Sequence, residues 1–408
     1  MKKLMIIGAG KGQVPLILKA KEHGLFVLVV SPVGDYPGID LADLHVNEDI
    51  YDKERLLEIA LAEKIDFVLS DQSDFAVPTV AFIAEKLNLP GNSIESAEYY
   101  TNKNKMRSLC SQHGIPIPAF VTINKIEQIE NISFPLPWIV KPSDSQGSRG
   151  VKKINYKEEL KDGLSEALKY SKQHCAIVEE FFEGREVVCE GFVLNGQYYN
   201  VAFGDRKYFD LKDLFIPSQT IFPSTLDIQY IDKIIQFETK IAQAAQPKFG
   251  IIHSEYLINE TTGEIRIVET ALRGGGVYIA SDLIPLSTGI DLTELLLLSM
   301  LGYMEDVEKK LLNSNRNKVA AYICFYLKEG GVTFASDFNE LKKNSSVIRA
   351  EIENIKEGYN VPLFVHKGMR QGPFIVNVDS LGQYEELLSY LEKEVLVEVD
   401  GCPGVVWS

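Results

Sequence analysis

The chain has 408 residues, 45% of them hydrophobic and 24% charged, and its net charge is −15. This length is too great for one ordinary hydrophobic core and predicts two or three domains, while the acidic balance argues against a nucleic-acid backbone as the main partner. The five cysteines are scattered without a CxxC pair, which favours reduced thiols in a cytoplasmic protein over a disulfide framework or a zinc site.

Residues 1 to about 95 alternate apolar strand segments with helical segments, which predicts a parallel sheet with right-handed crossovers. The first strand leads into the turn Gly8-x-Gly10-x-Gly12, which resembles a dinucleotide fingerprint. No acidic residue ends the second strand, so a turn used for tight packing or substrate contact is favoured over NAD binding. The turn also comes too early for a signal peptide, and no apolar run is long enough to span a bilayer. The elements expected here are strands at 4–7, 26–30 and 67–69 and helices at 13–23, 53–63 and 76–87.

A helix predicted at 98–113 opens the next unit, and Lys141 lies on a short apolar strand at 138–142. Taken alone, a surface lysine with a buried stem is an equal alternative. The loop that follows favours a site, because its glycines permit close backbone approach and positive φ while its hydroxyl groups offer donors. We therefore expect a lid that folds over phosphate groups, with Lys141 reaching them from below. The lid residues expected to contact the ligand are Ser145, Gly147, Ser148 and Gly150.

An acidic and aromatic segment at 179–186 follows a buried strand. A solvated acidic strand end is the default interpretation of such a segment. An adenine ring, however, needs an apolar slot edged by backbone hydrogen-bonding groups, and a ribose needs an acceptor a few residues further on. The segment offers both features, with Glu186 as the acceptor.

Two further apolar strands, 251–258 and 265–270, flank a turn and predict an antiparallel hairpin. If residues 260–264 form the loop, Asn259 faces Ile265. Counting outward from that pair sets which side chains meet across the two strands.

In this register Glu255 stands directly opposite Glu269 on one face of the hairpin. Two ionised carboxylates at that spacing repel unless a cation lies between them, and Mg²⁺ is typically held by one or two carboxylates together with phosphate oxygens and water. Two glutamates on a wet sheet face are the weaker alternative. His253 shares the face, and a hydrogen bond within the site or to substrate is favoured for it over metal ligation.

Arg273 and the three glycines after it lie just beyond Glu269. Glycines let the backbone approach a ligand closely, and arginine suits a carboxylate or phosphate, so a substrate site is favoured over a flexible turn. Arg206 is a second candidate for holding a carboxylate, with a solvated loop charge as an equal alternative. The other elements expected are strands from 176 to 221, a helix at 228–246, helical structure at 282–312, strands at 319–326 and 373–378, and a helix at 381–393.

In this order, the segments resemble the ATP-grasp superfamily of carboxylate–amine and carboxylate–thiol ligases. The most similar group contains biotin carboxylase, the large subunit of carbamoyl-phosphate synthase, the purine-pathway ligases and the L-amino-acid ligases. The resemblance covers most of residues 1–310, and the tail around 369–376 is similar to that group's C-terminal domain. It implies an α/β plus α+β architecture: a Rossmann-like pre-ATP-grasp domain at 1–95, a two-lobed ATP-grasp domain at 96–312 with a lid at about 115–178, and a small α+β domain at 313–408.

The resemblance also implies roles by position. Lys103, with Lys105 as second choice, matches the early ATP-binding basic residue, and Lys141 matches the phosphate-binding strand lysine. The remaining implied roles are an adenine hinge at Glu179, Glu180 and Phe181, a ribose-binding Glu186, the metal ligands Glu255 and Glu269, a catalytic Arg273 facing the substrate or acyl phosphate, and substrate contacts from His253, Gly274, Gly275 and Arg206.

The implied reaction joins a carboxylate to an amine through an acyl phosphate, uses ATP with Mg²⁺ or Mn²⁺, and releases ADP and phosphate. Small-molecule substrates, a cytoplasmic location, no nucleic-acid or membrane partner and a homodimer are expected by the same analogy. One position departs from the family pattern, because Ala271 stands where an asparagine often completes the metal coordination. Two alternatives stay open: a bicarbonate-activating enzyme like carbamoyl-phosphate synthase or a carboxylase, and a catalytically weak nucleotide-binding regulatory protein.

Overall fold

The computed structural model describes residues 1–144, 149–211, 214–276, 278–313, 318–352 and 355–407. Its β-strands are β1 (Lys3–Ile7), β2 (Phe26–Ser31), β3 (Leu44–Asn47), β4 (Phe67–Leu69), β5 (Phe120–Ile123), β6 (Trp138–Pro142), β7 (Lys152–Ile154), β8 (Ala176–Glu180), β9 (Arg185–Leu194), β10 (Gln197–Tyr208), β11 (Pro217–Phe222), β12 (Phe249–Asn259), β13 (Glu264–Ala271), β14 (Val319–Leu327), β15 (Gly330–Ala335), β16 (Val347–Ala350), β17 (Asn360–Val361), β18 (Gln371–Val378), β19 (Val397–Val399), β20 (Cys402–Pro403) and β21 (Val405–Val406). Its α-helices are α1 (Val14–Glu22), α2 (Pro37–Leu41), α3 (Lys53–Glu63), α4 (Val77–Lys86), α5 (Ile94–Thr101), α6 (Lys103–Gln112), α7 (Leu160–Tyr170), α8 (Ile228–Ala245), α9 (Ile284–Thr288), α10 (Leu292–Leu301), α11 (Met304–Leu312), α12 (Asn339–Lys342) and α13 (Leu381–Glu394).

The front sheet is parallel, as predicted for the first 95 residues, and has the strand order β3-β2-β1-β4. Helix α1 packs on one face, and α3 and α4 pack on the other. This double cover explains why β1 and β2 are nearly continuous runs of buried aliphatic residues. The edge strand β3 and the short helix α2 were not predicted, because their half-buried residues carry little periodic signal.

The helix predicted at 98–113 is wrong in its extent, since the chain forms two helices, α5 and α6, with a break at Asn102. The Asn102 side chain accepts hydrogen bonds from the N–H groups of Asn104 and Lys105 and so caps α6. The helix therefore begins at Lys103, whose side chain contacts Glu269. Downstream, Gly289 and Gly302 end α9 and α10 in the left-handed conformation.

The lid sheet is antiparallel, with the order β5-β8-β6-β7, and α7 covers one of its faces. Because side chains alternate along a strand, Val140 and Val178 point toward α7 while their neighbours Lys141 and Glu179 point the other way. That second face looks toward the large central sheet.

The central sheet has the order β13-β12-β9-β10-β11-β14-β18-β16 and carries β21 beside β14. It runs without interruption from the predicted ATP-grasp unit into the predicted C-terminal unit, because β11 pairs with β14. The boundary drawn at 312/313 therefore falls within one shared sheet, and the three-domain division stays a prediction. In the described part of the chain no single helix is long and apolar enough to span a membrane. The helical segment 279–288 and α10 together have the length and composition of a span, but they are bent by 107° relative to each other.

Helix α8 lies against the central sheet and buries Glu238, which is only 1% exposed. The carboxyl group of Glu238 accepts a hydrogen bond of 2.5 Å from the hydroxyl of Tyr256 on β12. Burial raises the pKa of Glu238 to about 7. The folded protein therefore holds a proton here that the unfolded chain releases at lower pH.

We expect Glu238→Gln to remove a pH dependence of stability. Between pH 4.5 and 7 the native state binds one more proton than the unfolded chain at this group, so its contribution to the free energy of unfolding falls as pH rises. As pH rises across this window, the free energy of unfolding of the variant should increase relative to that of the wild type by up to about 3 kcal/mol. The measurement is urea unfolding from pH 4.5 to 8. Glu305→Gln, at an exposed glutamate of α11, is the control. If the free energy of unfolding varies with pH in the same way for the wild type and for Glu238→Gln, the raised pKa does not belong to Glu238.

Candidate active site

A cavity of about 530 Å³ lies between the lid sheet and the central sheet. Charged side chains line one part of it and aromatic and aliphatic side chains line the other. It brings together the predicted residues Lys103, Lys141, Glu179, Glu180, Phe181, Glu186, Arg206, Glu255 and Glu269. The predicted lid residues Ser145, Gly147 and Ser148 lie outside the described residues. Gly150 has a φ of +70° and packs against Pro142 and α7, and it is not among the residues that line the cavity.

The hairpin of β12 and β13 places Glu255 opposite Glu269, as predicted, but through a different register. Asn259 faces Glu264 instead of Ile265, so the loop is one residue shorter than expected. A β-bulge at Val268 then restores the pairing, because one extra residue on β13 shifts every later pair by one position. The predicted loop was one residue too long and the bulge was not predicted. These two errors shift the register in opposite directions, so the predicted pairing of Glu255 with Glu269 is correct.

Each of these carboxylates faces a cation from another strand or helix. Arg206 donates from Nη1 to Glu255 at 2.5 Å and to Glu186 at 2.8 Å, while Lys103 Nζ lies 2.7 Å from Glu269 Oε1. Burial raises the pKa of Glu255, but Arg206 and His253 outweigh it and hold that pKa well below its usual range. The site is thus balanced by the protein's own charges.

Glu186 accepts hydrogen bonds from both Arg206 and the hydroxyl of Tyr208. Burial raises the pKa of this carboxyl group. Arg206 is itself buried, and its Nε has no hydrogen-bond partner among the described residues. Arg206 lines the cavity, but this Nε atom is closed off from solvent.

Lys141 is held by Glu179, whose two oxygens serve two cations. Glu179 Oε2 lies 2.6 Å from Lys141 Nζ, and Oε1 accepts from the fully buried Arg107 at 2.8 Å. Sequence reasoning missed Arg107. Its place one helical turn after Lys103, among the buried residues of α6, was the signal that could have found it.

The apolar part of the cavity is formed by the segment predicted as an adenine hinge. Phe181 and Phe215 lie with their ring centroids 6.4 Å apart, and Lys153 lies 3.7 Å above the Phe181 ring. The N–H groups of Glu180 and Phe181 already donate to the carbonyls of Ala119 and Pro137. A flat ring in this slot would therefore meet the backbone further along, from the Glu180 carbonyl onward.

The glycine loop after β13 is tied to the front sheet. Arg273 donates from Nε and Nη2 to the two oxygens of Asp74 at 2.7 and 2.9 Å. Asp71, fully buried at the end of β4, accepts from the N–H of Gly274 at 3.2 Å and from the hydroxyl of Thr293. Burial raises the pKa of Asp71 to about 6. Arg273 and Gly274 are thus held against the front unit and, like the predicted residues His253 and Gly275, are not among the residues that line the cavity.

His253 lies under this loop and forms a buried pair with Glu190 through its Nδ1, while its Nε2 lies 3.5 Å from Glu255 Oε1. A Cβ atom at Gly275 would lie 2.6 Å from Glu190 Oε1 and 2.9 Å from His253 Nδ1, so only glycine fits there. Burial lowers the pKa of His253, but Glu190 outweighs it and raises that pKa to about 9. The ring is therefore cationic at neutral pH, which disfavours metal ligation by His253.

The carboxylate pair fits a divalent metal that brings other ligands with it. Glu255 and Glu269 offer the oxygen ligands that Mg²⁺ prefers. Within the described ranges, no group of three or more His, Cys, Asp or Glu side chains is arranged to hold a metal by itself. One or two carboxylates completed by phosphate oxygens and water is the usual Mg²⁺ arrangement at nucleotide sites.

We expect Glu190→Gln to lower the pKa of His253 from about 9 toward or below 6.5, because the neutral amide no longer offsets burial. The measurement is an NMR pH titration of the histidine ring resonances, with the signal assigned by its loss in His253→Gln. Glu58→Gln, at an exposed site on α3, is the control. A His253 pKa that stays near 9 in Glu190→Gln would show that the carboxylate is not its cause.

A family model described as an ATP-grasp domain matches residues 134–281. The L-arginine-specific L-amino acid ligase of Bacillus subtilis is 26% identical over 245 residues, which cover 57% of this chain and 58% of that protein. A formate-dependent phosphoribosylglycinamide formyltransferase of Prochlorococcus marinus is 28% identical over 188 residues, which cover 44% of this chain and 47% of that protein. The chain spans about half the length of these curated relatives.

Two solved structures share the fold across nearly the whole chain. The L-amino acid ligase from Bacillus licheniformis superposes with a TM-score of 0.84 at 22% identity, covering 98% of this chain and 99% of that one. The phosphoribosylglycinamide synthetase from Anaerococcus prevotii superposes with a TM-score of 0.74 at 21% identity, covering 98% and 100%. Residues 134–281 thus match an ATP-grasp domain, and the chain as a whole shares the fold of these two ligase structures.

Proposed function

We propose that the protein is an ATP-dependent carboxylate–amine ligase that works with Mg²⁺ or Mn²⁺ through an acyl phosphate and releases ADP and phosphate. The observation that carries the proposal is the opposed pair of Glu255 and Glu269 in a cavity that also contains Lys141 and an apolar slot. Relatives whose names specify amino-acid ligation support the same class of reaction.

The chemistry of the cavity wall supports a position for the nucleotide. Phe181 and Phe215 suit the face of a base, and Glu186 suits the ribose hydroxyls. Lys141 and Arg206 then face the phosphates. These cations supply the local positive field that an anionic nucleotide needs on a protein of net charge −15.

Ligand binding exchanges one set of ion pairs for another. In the protein alone, Arg206 neutralises Glu255 and Lys103 neutralises Glu269. Glu255 and Glu269 would hold the metal, and Arg206 and Lys103 could then pair with phosphate oxygens without leaving a buried charge unpaired. The bound metal supplies charge neutralisation for phosphoryl transfer.

The chain itself contributes positioning and charge to each step. The substrate carboxylate attacks the γ-phosphorus, the bond to the ADP oxygen breaks, and Lys141 stabilises the charge on the transferred group. The amine then attacks the acyl carbon and loses a proton, phosphate departs, and the positive charge of Arg273 stabilises the developing negative charge. We also propose a cytoplasmic homodimer acting on small-molecule substrates, on family analogy.

Replacing Glu269 with Gln should abolish ADP release, because a neutral amide cannot balance the metal. The assay measures ADP over pooled amino acids, dipeptides, small carboxylates and bicarbonate, at saturating Mg²⁺. Glu264→Gln is the matched control, since Glu264 lies on the same strand but is half exposed and pairs only with Arg266 and Thr262. Full turnover in Glu269→Gln would remove this residue from the mechanism, and stimulation by bicarbonate alone would redirect the substrate class.

Ala271 favours a second candidate, a nucleotide-binding regulatory protein with weak turnover. Ala271 is buried, faces His253 across the hairpin and offers no metal ligand. Tight ATP binding without ADP release on any carboxylate would support this candidate over the ligase.

We expect Ala271→Asn to strengthen metal binding, because an amide oxygen beside Glu269 adds a ligand. The Mg²⁺ concentration for half-maximal ATP binding should fall by about tenfold, measured by titration calorimetry at fixed ATP. Ala271→Val fills the same space without a donor or acceptor and serves as the control. An unchanged midpoint in Ala271→Asn would mean that position 271 does not reach the metal.

A further inference from the structure

Arg107 is completely buried in α6, one helical turn after Lys103. Residues four apart on a helix share a face, so Lys103 and Arg107 point together toward the lid and the hairpin. Burying a guanidinium is costly unless its donors are paired. The hydrogen-bond partners of Arg107 therefore show which parts of the structure it holds in place.

The guanidinium joins two separate parts of the site. Toward the lid, Nε donates to Glu179 Oε1 at 2.8 Å. Toward the hairpin, Nη1 donates to the carbonyl of Ile267 at 2.8 Å and Nη2 donates to the carbonyl of Val268 at 2.9 Å. One planar, rigid group thus connects β8 with β13.

The two carbonyls belong to the β-bulge that sets the carboxylate pair. Residues at a bulge lose part of the regular ladder, so their carbonyls need other donors. If the register of the hairpin tip continued without the bulge, Val268 would face Glu255 and Glu269 would point to the opposite face. The bulge that Arg107 binds is the feature that brings Glu269 to Glu255.

On the lid side, the contact of Arg107 extends through Glu179 to Lys141. Glu179 uses its second oxygen for Lys141 Nζ, so the position of the lysine depends on a carboxylate that Arg107 fixes. Burial raises the pKa of Glu179, but Arg107 and then Lys141 outweigh it and lower that pKa to about 2. Burial lowers the pKa of Lys141, and the positive charge of Arg107 adds to this effect.

We propose that Arg107 is a positioning residue that holds Glu269 through the bulge and Lys141 through Glu179, and so sets the spacing between the metal carboxylates and the phosphate-binding lysine. The inference rests on the proposed function for the meaning of that spacing. Arg107 itself touches no reacting atom.

Arg107→Met and Arg107→Lys separate charge from geometry. Arg107→Met removes both, so the Mg²⁺ midpoint for ATP binding should rise by about 10- to 100-fold, and the pH midpoint for acetylation of Lys141, followed by peptide mass spectrometry, should move upward. Arg107→Lys keeps the charge but cannot reach Glu179 and both carbonyls. It should raise the Mg²⁺ midpoint similarly while leaving the Lys141 midpoint near the wild-type value.

Arg55→Met removes an exposed, ion-paired arginine and should change neither measurement. A purely structural role for Arg107 would lower the melting temperature and expose other lysines to acetylation, without shifting either midpoint in the folded fraction. Folded variants with wild-type midpoints would overturn the proposal, and if Arg107→Met does not fold, Arg107→Lys decides it by the Mg²⁺ midpoint. If the wild type binds no ATP with Mg²⁺, the proposed function fails, while the Lys141 midpoint and a crystal structure of Arg107→Lys showing the bulge kept or lost still decide the role of Arg107.

Discussion

Two carboxylates on facing strands repel each other. The cationic side chains that neutralise them come from other elements of the chain and connect those elements with the hairpin. Glu255 meets Arg206 from β10, and Glu269 meets Lys103 from the first turn of α6. A buried charge is tolerated only where it is paired, so each cation fixes the element that carries it relative to the hairpin. The lid, the helix beneath it and the central sheet are thus joined through one set of charges.

The front unit enters the same arrangement through two aspartates. Asp74 binds the guanidinium of Arg273 with two parallel hydrogen bonds, and Asp71 accepts from the glycine loop. An arginine held along one edge in this way keeps a fixed orientation. The Rossmann-like front sheet is therefore tied to the glycine loop after β13, although none of the described residues that line the cavity belongs to it.

The sequence was most informative where the pattern was local. Alternating strands and helices predicted the front sheet, and the apolar strands with single charges predicted the cavity-facing positions of Lys141, Glu255 and Glu269. The opposed carboxylates were found although the loop length was wrong, because a bulge at Val268 compensated for it. A simple count cannot detect a bulge, since it assumes that one residue stands opposite one residue along the whole hairpin.

Long-range pairing lay beyond such reasoning. Nothing in the helix 103–112 indicates that Arg107 binds carbonyls about 160 residues later in the chain, and the pattern around Asn102 reads as one continuous helix until the cap is seen. The continuous central sheet was missed for the same reason, because pairing between β11 and β14 joins segments about 100 residues apart.

The shared central sheet makes the two units depend on each other. β11 is an interior strand only because β14 covers its outer edge. A chain shortened after α11 would leave the backbone groups of β11 open along their full length, and an open edge of this kind invites pairing with other molecules. The last hundred residues therefore cover the edge of the sheet that carries the hairpin, and the unit that contains the cavity depends on them.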